Sequence, residues 1–384
     1  MRLWLIFFGK TANPKFDLLL RFFTVKKEKN RVLSPFAFLS IVIFIPTVTV
    51  YLLCCSSVII ADFFNSTLCH EFRKIMASFG DLFPFSLIEF IVIALPLILA
   101  VVIYLASRAF SRGRGLRFII NLFAVVLLIY SGHLIALGIG YKTTPISQRM
   151  ELTDTEVNED SLARVMTLLR DEINELSPLV PRDDAGVFTS GYDFDGISEK
   201  LCEAYAKFYE QYGFPKSFNS RVKGVYHGNL MSYLEITGIY TYVTGEANVN
   251  TAFPDYDTIF TSAHEMSHQR GILRENEANF AAYVVCSLSD DVNLRYSAAL
   301  TMYEYVSSAL YRTDPDRYKE IAANLSEGAV TDMRASYAVV EKYSDTFIGR
   351  LSNRVNDIFL KSNGTEGVVT YSRVVELVVA YLAQ

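Results

Sequence analysis

Cysteine, histidine and tryptophan are scarce in this chain of 384 residues, which contains five cysteines, five histidines and a single tryptophan. The cysteines show no Cys-x-x-Cys spacing, so the sequence indicates neither a disulfide framework nor a cysteine-ligated zinc site. Internal repeats are also missing, so a repeat architecture is not indicated. Any folded domain in this chain must therefore rely on a packed hydrophobic core.

Apolar residues, in contrast, are abundant: 51 % of the chain is hydrophobic, which is high for a soluble protein of this length. The excess is concentrated in three runs, at about residues 36–61, 84–106 and 116–141. The first run carries no charge, the second only Glu89 and the third only Arg117. Because about 20 apolar residues span a bilayer, we expect three transmembrane helices within a membrane domain of residues 1–140.

The distribution of lysine and arginine predicts the orientation of these helices. Eight basic residues precede position 34, and the loop between the second and third runs contains several arginines. The loop between the first and second runs has only Arg73 and Lys74, offset by Glu71 and Asp81. The positive-inside rule then places the N-terminus in the cytoplasm and residues 141–384 outside. The apolar start, residues 1–8, is too short to span and has no clear cleavage site, so a removed signal peptide is not predicted.

The two parts of the chain differ in charge. Residues 1–140 have a net charge of +8 and residues 141–384 a net charge of −13, which together give the formal −5 of the whole chain. Nucleic-acid binding needs a basic face. The acidic outer domain therefore argues against a nucleic-acid partner and leaves the lipid bilayer and a peptide or protein substrate as the expected partners.

Residues 264–268 read His-Glu-Met-Ser-His, which is the His-Glu-x-x-His motif of zinc metallopeptidases. Residues four apart share one face of a helix, so His264 and His268 can hold one Zn²⁺. Glu265 follows the first histidine directly, and this offset directs its carboxylate at a water on the metal. The motif predicts Glu265 as the general base of a hydrolytic reaction.

The third zinc ligand is expected a few residues further on. Gly271 can end the helix with a positive φ, and a second helix is predicted from Glu275 to about residue 287. We favour Glu275 as the ligand over the alternative, Glu277, which is two residues further on and so lies roughly opposite on a helix. Asn279 shares a face with Glu275 and can hydrogen-bond a ligand histidine and fix its tautomer.

The stretch 222–249, just before the motif, is rich in residues that favour β-strand. A strand here could pair with an extended substrate. Residues 244–250 are predicted to form a polar turn, which is either an ordinary loop or a cleft wall where Asn248 or Asn250 contacts substrate. His227 is expected to be a surface residue rather than a fourth ligand, since open zinc sites already have three protein ligands.

The remainder of the outer domain has helical periodicity, so the fold is expected to be mainly α with a small β element, an α+β fold. Two helices are predicted at 153–176 and 197–212, and five more at 294–312, 315–325, 331–343, 347–360 and 374–382. One tyrosine in the C-terminal helices could stabilise an oxyanion. The sequence does not choose among Tyr296, Tyr303, Tyr305, Tyr311, Tyr318, Tyr337, Tyr343 and Tyr371.

Several blocks of the chain resemble the bacterial membrane-anchored domain-of-unknown-function family thirty-eight-ten. They are Gly140-Tyr141 with Pro145, residues 231–240 and 244–250, the zinc motif through Gly271, residues 275–280, 359–363 and 367–375. That family is similar to the gluzincin group of zinc peptidases, in which a Glu-x-x-Ala/Ser-Asp/Asn helix follows the histidine pair. The resemblance implies that Glu275 is a ligand and that Asn279 supports one.

Together these observations predict a multi-pass cell-membrane protein with an extracytoplasmic, gluzincin-like zinc peptidase domain at residues 141–384. Its expected activity is hydrolysis of peptide bonds by a zinc-activated water, with a membrane-proximal substrate as one option. The alternative is a non-catalytic, zinc-binding membrane sensor or scaffold.

Overall fold

The computed structural model describes residues 33–383, with the side chains of residues 370–372 left out. The basic N-terminal segment and the apolar residues 1–8 lie outside the described residues. Three described helices are long and apolar enough to cross a membrane: Pro35–Ser56, Leu87–Ser111 and Gly115–Lys142. The prediction of three apolar helices near the N-terminus is confirmed.

The first of these, α1 (Pro35–Ser56), begins where Ser34 accepts a hydrogen bond from the amide of Ala37 and Pro35 occupies the first turn. The helix ends at Ser57, whose backbone is extended. The same serine caps the next helix, α2 (Val58–Ser66). The apolar run predicted as one helix at 36–61 is therefore divided by a serine that the hydropathy pattern does not single out.

A second helix follows α2, α3 (Leu68–Gly80), and the two form a hairpin between the first and second apolar helices. The second apolar helix is α4 (Leu87–Ser111), with Ser86 as its N-cap. The third, α5 (Gly115–His133), continues through a π-helical turn at Leu134–Gly138 and a 3₁₀ turn at Gly140–Lys142. The chain then enters a short helix, α6 (Ile146–Arg149).

The C-terminal region contains one large hydrophobic core, formed by buried residues between Ile146 and Val379. The helices at Asp255–Arg270 and Glu275–Ser287 lie at its centre against the helix at Val292–Thr313, which also packs on the helix at Glu159–Leu176. Each fully buried Leu, Ile or Phe in this core stabilises the fold by about 1.5–3 kcal/mol. Its helices are α7 (Glu159–Leu176), α8 (Phe194–Tyr212), α9 (Gly228–Tyr233), α10 (Asp255–Arg270), α11 (Glu275–Ser287), α12 (Val292–Thr313), α13 (Pro315–Ala322), α14 (Glu327–Tyr343), α15 (Phe347–Ser362) and α16 (Val374–Leu382).

These bounds agree with the predicted helices to within a few residues, and the larger differences have local causes. α7 begins at Glu159 rather than at 153, because Asn158 and Ser161 form a capping box there. α8 begins three residues early because Asp193 accepts a hydrogen bond from the amide of Gly196. A 3₁₀ segment, Gly367–Arg373, joins α15 to α16.

The β element is a three-stranded sheet of β1 (Val222–Val225), β2 (Gly238–Thr241) and β3 (Glu246–Asn250). Its order is β1-β3-β2; β1 runs parallel to β3, and β2 runs antiparallel to it. β2 is therefore an edge strand. The prediction of a small β element is confirmed, but the stretch predicted as a polar turn is largely the central strand.

Candidate metal centre

The zinc motif lies on α10, and the turn that follows it directs the chain back as α11. Gly271 ends α10 with φ of 98°, and the amide of Ile272 donates to the carbonyl of Ser267 at 3.0 Å. This is the Schellman arrangement, in which glycine takes the left-handed conformation. A Cβ on Gly271 would lie 2.3 Å from an Arg73 guanidinium nitrogen, so glycine is required here for space as well.

Three side chains converge where the two helices meet. The Nε2 atoms of His264 and His268 lie 3.2 and 3.3 Å from the Oε2 atom of Glu275. The three candidate ligand atoms all lie within 4.8 Å of one another, and all three side chains are buried. Atoms held tetrahedrally by one Zn²⁺ at about 2.0–2.1 Å are about 3.3 Å apart, so the observed spacing suits such an ion.

The hydrogen bonds of the two imidazoles also fit metal binding. The Nδ1 atom of His264 lies 2.7 Å from Oδ1 of Asn279, and that of His268 lies 2.9 Å from the carbonyl oxygen of Ile272. Both partners can only accept, so each Nδ1 carries the proton and donates. The two Nε2 atoms consequently direct their lone pairs at the shared point, as metal-ligating histidines do.

Glu277, the alternative third ligand, points elsewhere. Its carboxylate accepts hydrogen bonds from the Arg274 guanidinium at 3.0 and 3.2 Å and from the amide of Ile146 at 3.1 Å. Arg274 also donates to the carbonyls of Tyr141 and Thr143. Glu277 thus fastens the end of the third apolar helix to α11, and the structure brings Glu275 rather than Glu277 to the histidines.

Glu265, the predicted base, is buried beside the cluster under the edge strand β2. A Cβ on Gly238 would lie 2.6 Å from its Oε1 atom, so the strand can approach only because residue 238 is glycine. The carboxylate accepts a hydrogen bond from the backbone of Tyr240. Burial raises the pKa of Glu265, and the neighbouring histidines lower it by less. A raised pKa suits a group that must take up and release a proton.

Electrostatic coupling inside the cluster is strong. Burial raises the pKa of Glu275, but the charge of His268 and its hydrogen bonds to both histidines outweigh burial and lower this pKa strongly. Burial lowers the pKa of His268, and the charge of Glu275 reverses this and raises the pKa to about 9. Without a metal, the proton on His268 thus supplies the positive charge that faces Glu275. A cation that binds here would have to displace that proton, so metal affinity would rise with pH.

One tyrosine of the candidate set is connected to the site. Asn279, which accepts from His264, donates through its Nδ2 atom to the hydroxyl of Tyr305 at 3.3 Å. Burial and the charge of Glu304 raise the pKa of Tyr305 to about 12, so its hydroxyl stays protonated at neutral pH. Tyr141, at the end of the third apolar helix, lies close enough to Glu275 for the two groups to interact electrostatically.

The other predicted residues lie apart from this cluster. Asn248 and Asn250 are fully buried in β3, where Asn248 accepts from Ser86 at 2.7 Å and Asn250 donates to Ser232 at 2.9 Å. Their burial contradicts the prediction that they contact substrate, because their polar atoms are used inside the fold. His227 lies exposed at the surface as predicted, with its ring 2.6 Å from Glu89.

The α2–α3 hairpin contributes residues near the site that the sequence analysis missed. Arg73 is fully buried and donates to the carbonyls of Ala136 and Asn65, with no carboxylate partner among the described residues. Asn65 donates to the carbonyl of Gly271 at 3.2 Å. Both side chains therefore pack on the turn between the histidines and Glu275. Only the position of Arg73 in a sparsely charged loop could have signalled this, and the sequence analysis used Arg73 only to predict the orientation of the apolar helices.

The chain shows a clear family relationship. The profile of the family described as "Protein of unknown function (DUF3810)" matches residues 64–379. The chain belongs to this DUF3810 family. The match begins near the end of α2 and includes α3 and the whole site. Neither a curated protein nor a solved structure matches the chain significantly.

Proposed function

We propose that this DUF3810 protein is a membrane-anchored, zinc-dependent peptidase of gluzincin-like design. The observation that carries the proposal is the convergence of His264, His268 and Glu275 on one point, with the carboxylate of Glu265 beside it. Three protein ligands leave one tetrahedral position open, which is typical of catalytic rather than structural zinc sites.

Each residue has a role that follows from its position. His264, His268 and Glu275 hold the ion, and bound Zn²⁺ supplies a water of lowered pKa and polarises the substrate carbonyl. Glu265 takes the proton from the attacking water and delivers it to the leaving amine. Asn279 keeps His264 in the required tautomer. Tyr305 is our candidate donor for the oxyanion, because its hydroxyl accepts a hydrogen bond from Asn279 and its own proton is not used on that residue.

The edge strand β2 supports peptide as the substrate class. Its outer edge has no partner strand in the described sheet, and its first residue, Gly238, lies against Glu265. An extended peptide that pairs with such an edge would have its backbone carbonyls directed toward the site. The alternative, a zinc-binding sensor or scaffold, does not require a buried acid at position 265.

The deciding experiment compares the wild-type full-length protein with Glu265→Gln in detergent micelles, using a peptide library and a membrane-protein extract as substrates. We expect the variant to keep its zinc and to lose at least 100-fold in turnover, since a general base contributes about 10²–10⁴-fold. Glu199→Gln, on the exposed face of α8, is the matched control. Identical products from wild type and Glu265→Gln, or none from either, would contradict the peptidase proposal and favour the sensor or scaffold.

We also propose that the three apolar helices cross the membrane and place residues 141–384 outside the cytoplasm. The basic residues before position 34 and in the turn between α4 and α5 support this orientation. Cysteine introduced at Tyr311, an exposed residue of α12, should react with an impermeant maleimide in intact cells. If that cysteine reacts only after the cells are lysed, the orientation is the opposite of the one proposed.

A further inference from the structure

The helix α15 has two unlike faces. On one face Gly349 lies so close to Glu235 that a Cβ would be 2.4 Å from its Oε1 atom, and Asn353 donates to the same carboxylate at 2.5 Å. Leu360, on this face, is fully buried. This face attaches the helix to the segment between α9 and β2.

The opposite face is apolar and exposed. Its side chains recur at spacings of three and four residues, which places them on one stripe of the helix. Each is between 52 % and 74 % exposed, although soluble surfaces rarely keep such a contiguous apolar stripe. The stripe consists of Phe347, Ile348, Leu351, Val355 and Ile358.

The position of α15 relative to the third apolar helix indicates what covers this stripe. The ring of Phe359 lies 5.8 Å from the ring of His133, and Lys142 donates to the carbonyl of Asn363 at 2.8 Å. His133 is 19 residues beyond Arg114, the residue before α5. At 1.5 Å per residue this distance is about 28 Å, close to the thickness of the hydrocarbon layer. The helix α15 therefore contacts α5 at the level where α5 leaves the bilayer.

The charge of α15 also fits a lipid surface. The helix contains Arg350, Arg354 and Lys361 against a single acid, Asp357, whereas residues 141–384 as a whole have a net charge of −13. On a helical projection the three basic residues lie together along one border of the apolar stripe. Arg350 pairs with Asp345 and Lys361 pairs with Asp357, and the helix still keeps an excess of positive charge. Helices with an apolar face and basic borders lie in membrane interfaces.

We propose that α15 lies in the plane of the membrane surface, with its apolar stripe among the lipid acyl chains and its basic residues in the headgroup region. The proposal rests on the crossing of the bilayer by the three apolar helices and deepens the proposed function. Because α15 contacts Glu235, in the segment that leads into β2, it holds the edge strand β2 close to the lipid. The substrates it selects are therefore polypeptide segments that emerge from the membrane next to it.

The test uses the full-length protein in vesicles of phosphatidylcholine and phosphatidylglycerol, with a nitroxide attached to single cysteines. Cys55 and Cys202 are changed to serine, since the other three native cysteines are buried. Labels are placed at Leu351→Cys and Val355→Cys on the stripe. Phe123→Cys on α5 and Tyr311→Cys on α12 are the controls for lipid and water, and both positions are exposed in the fold.

We expect the labels at 351 and 355 to collide more with oxygen than with a water-soluble nickel chelate, as at 123, and the label at 311 to show the reverse. If the labels at 351 and 355 collide more with the nickel chelate while the label at 123 collides more with oxygen, α15 does not lie in the interface. The proposal that the three helices cross the membrane would still hold. Protection of 351 and 355 from both reagents would show a protein contact, such as a second copy of the chain, and would also overturn the proposal. A water-exposed label at 123 would refute the membrane crossing itself.

Discussion

Two sets of buried polar residues lie on either side of the α10–α11 turn, and they are organised differently. The first set, the metal cluster, comprises His264, His268 and Glu275, which come from 12 consecutive residues and point at one shared position. The second set, the docking network, joins the α2–α3 hairpin and the start of α4 to the sheet. It comprises Ser86, Lys223, Glu246 and Asn248 at the sheet, and Arg73 with the half-buried Asn65 at the α10–α11 turn.

The two sets differ in how their carboxylates are paired: Glu246 pairs with the Lys223 cation, whereas Glu275 is shared by two histidines. In the docking network the carboxylate of Glu246 accepts from Lys223 at 2.6 Å and from the amides of Leu87 and Ile88 at the start of α4. In the metal cluster the Nε2 atoms of the two imidazoles lie 3.2 and 3.3 Å from the same carboxylate oxygen. Disrupting the docking network should therefore lower the free energy of unfolding, and disrupting the metal cluster should lower the affinity for metal.

The largest stability effect is expected at the buried ion pair. Glu246→Gln leaves the Lys223 cation buried without its anion, which we expect to lower the free energy of unfolding by about 3–5 kcal/mol. Urea unfolding in detergent, followed by circular dichroism, measures it. Glu203→Gln removes the exposed pair with Lys200 and should leave the free energy of unfolding almost unchanged, because water screens exposed charges. Equal losses in the two variants would mean that the docking network adds nothing to stability.

A smaller effect is expected where the docking network reaches the metal cluster. Arg73→Met removes the guanidinium packed against Gly271, so the turn that positions Glu275 is less firmly held. We expect zinc affinity, measured by competition with a chelator, to fall about tenfold, the lower end of what supporting residues contribute. Lys74→Met, an exposed neighbour on α3, is the control. Unchanged affinity in a folded Arg73→Met protein would show that the two regions are independent.

The smallest effect concerns Asp257, which belongs to neither set and lies on α10 seven residues before His264. Burial raises its pKa to about 7, and its Oδ2 atom is buried without a hydrogen-bond partner. Because the folded pKa is raised, the folded protein binds a proton that the unfolded chain has released between about pH 4 and 7. The free energy of unfolding therefore falls as pH rises through this window.

Asp257→Asn should remove this pH dependence. Since the side chain is partly exposed, we expect a gain on the order of 1 kcal/mol at pH 8 and none at pH 4. Thermal unfolding at the two pH values measures the gain. Asp184→Asn, at an exposed position, should change neither value. A variant that is destabilised at pH 8 would show that the charged carboxylate is stabilised by a partner in the fold.

Local patterns predicted most of the helices of the C-terminal region, because their periodicity and caps are properties of consecutive residues. The metal cluster was predictable for the same reason: the i, i+4 histidines, Gly271 and Glu275 are all local. The choice between Glu275 and Glu277 depended on Arg274 and on the distant amide of Ile146, and the sequence could not supply that contact.

The docking network was not predictable, because each of its partners is distant in sequence. β3 looked like a polar turn since Glu246 and Asn248 are unusual in a buried strand, and only Lys223, Leu87 and Ser86 make them acceptable there. The burial of Arg73 was not predicted for the same reason, because its partners Ala136 and Gly271 are distant in sequence. Polar residues buried by distant partners carry no local signal.

The central claim is that His264, His268 and Glu275 hold one zinc ion. Its most direct test is the zinc content of the purified full-length protein after Glu275→Gln and Glu277→Gln, with His227→Ala as the control histidine. We predict about one zinc per chain in wild type, Glu277→Gln and His227→Ala, and a loss of at least tenfold in affinity for Glu275→Gln. Full zinc occupancy in Glu275→Gln, or its loss in Glu277→Gln alone, would contradict the account.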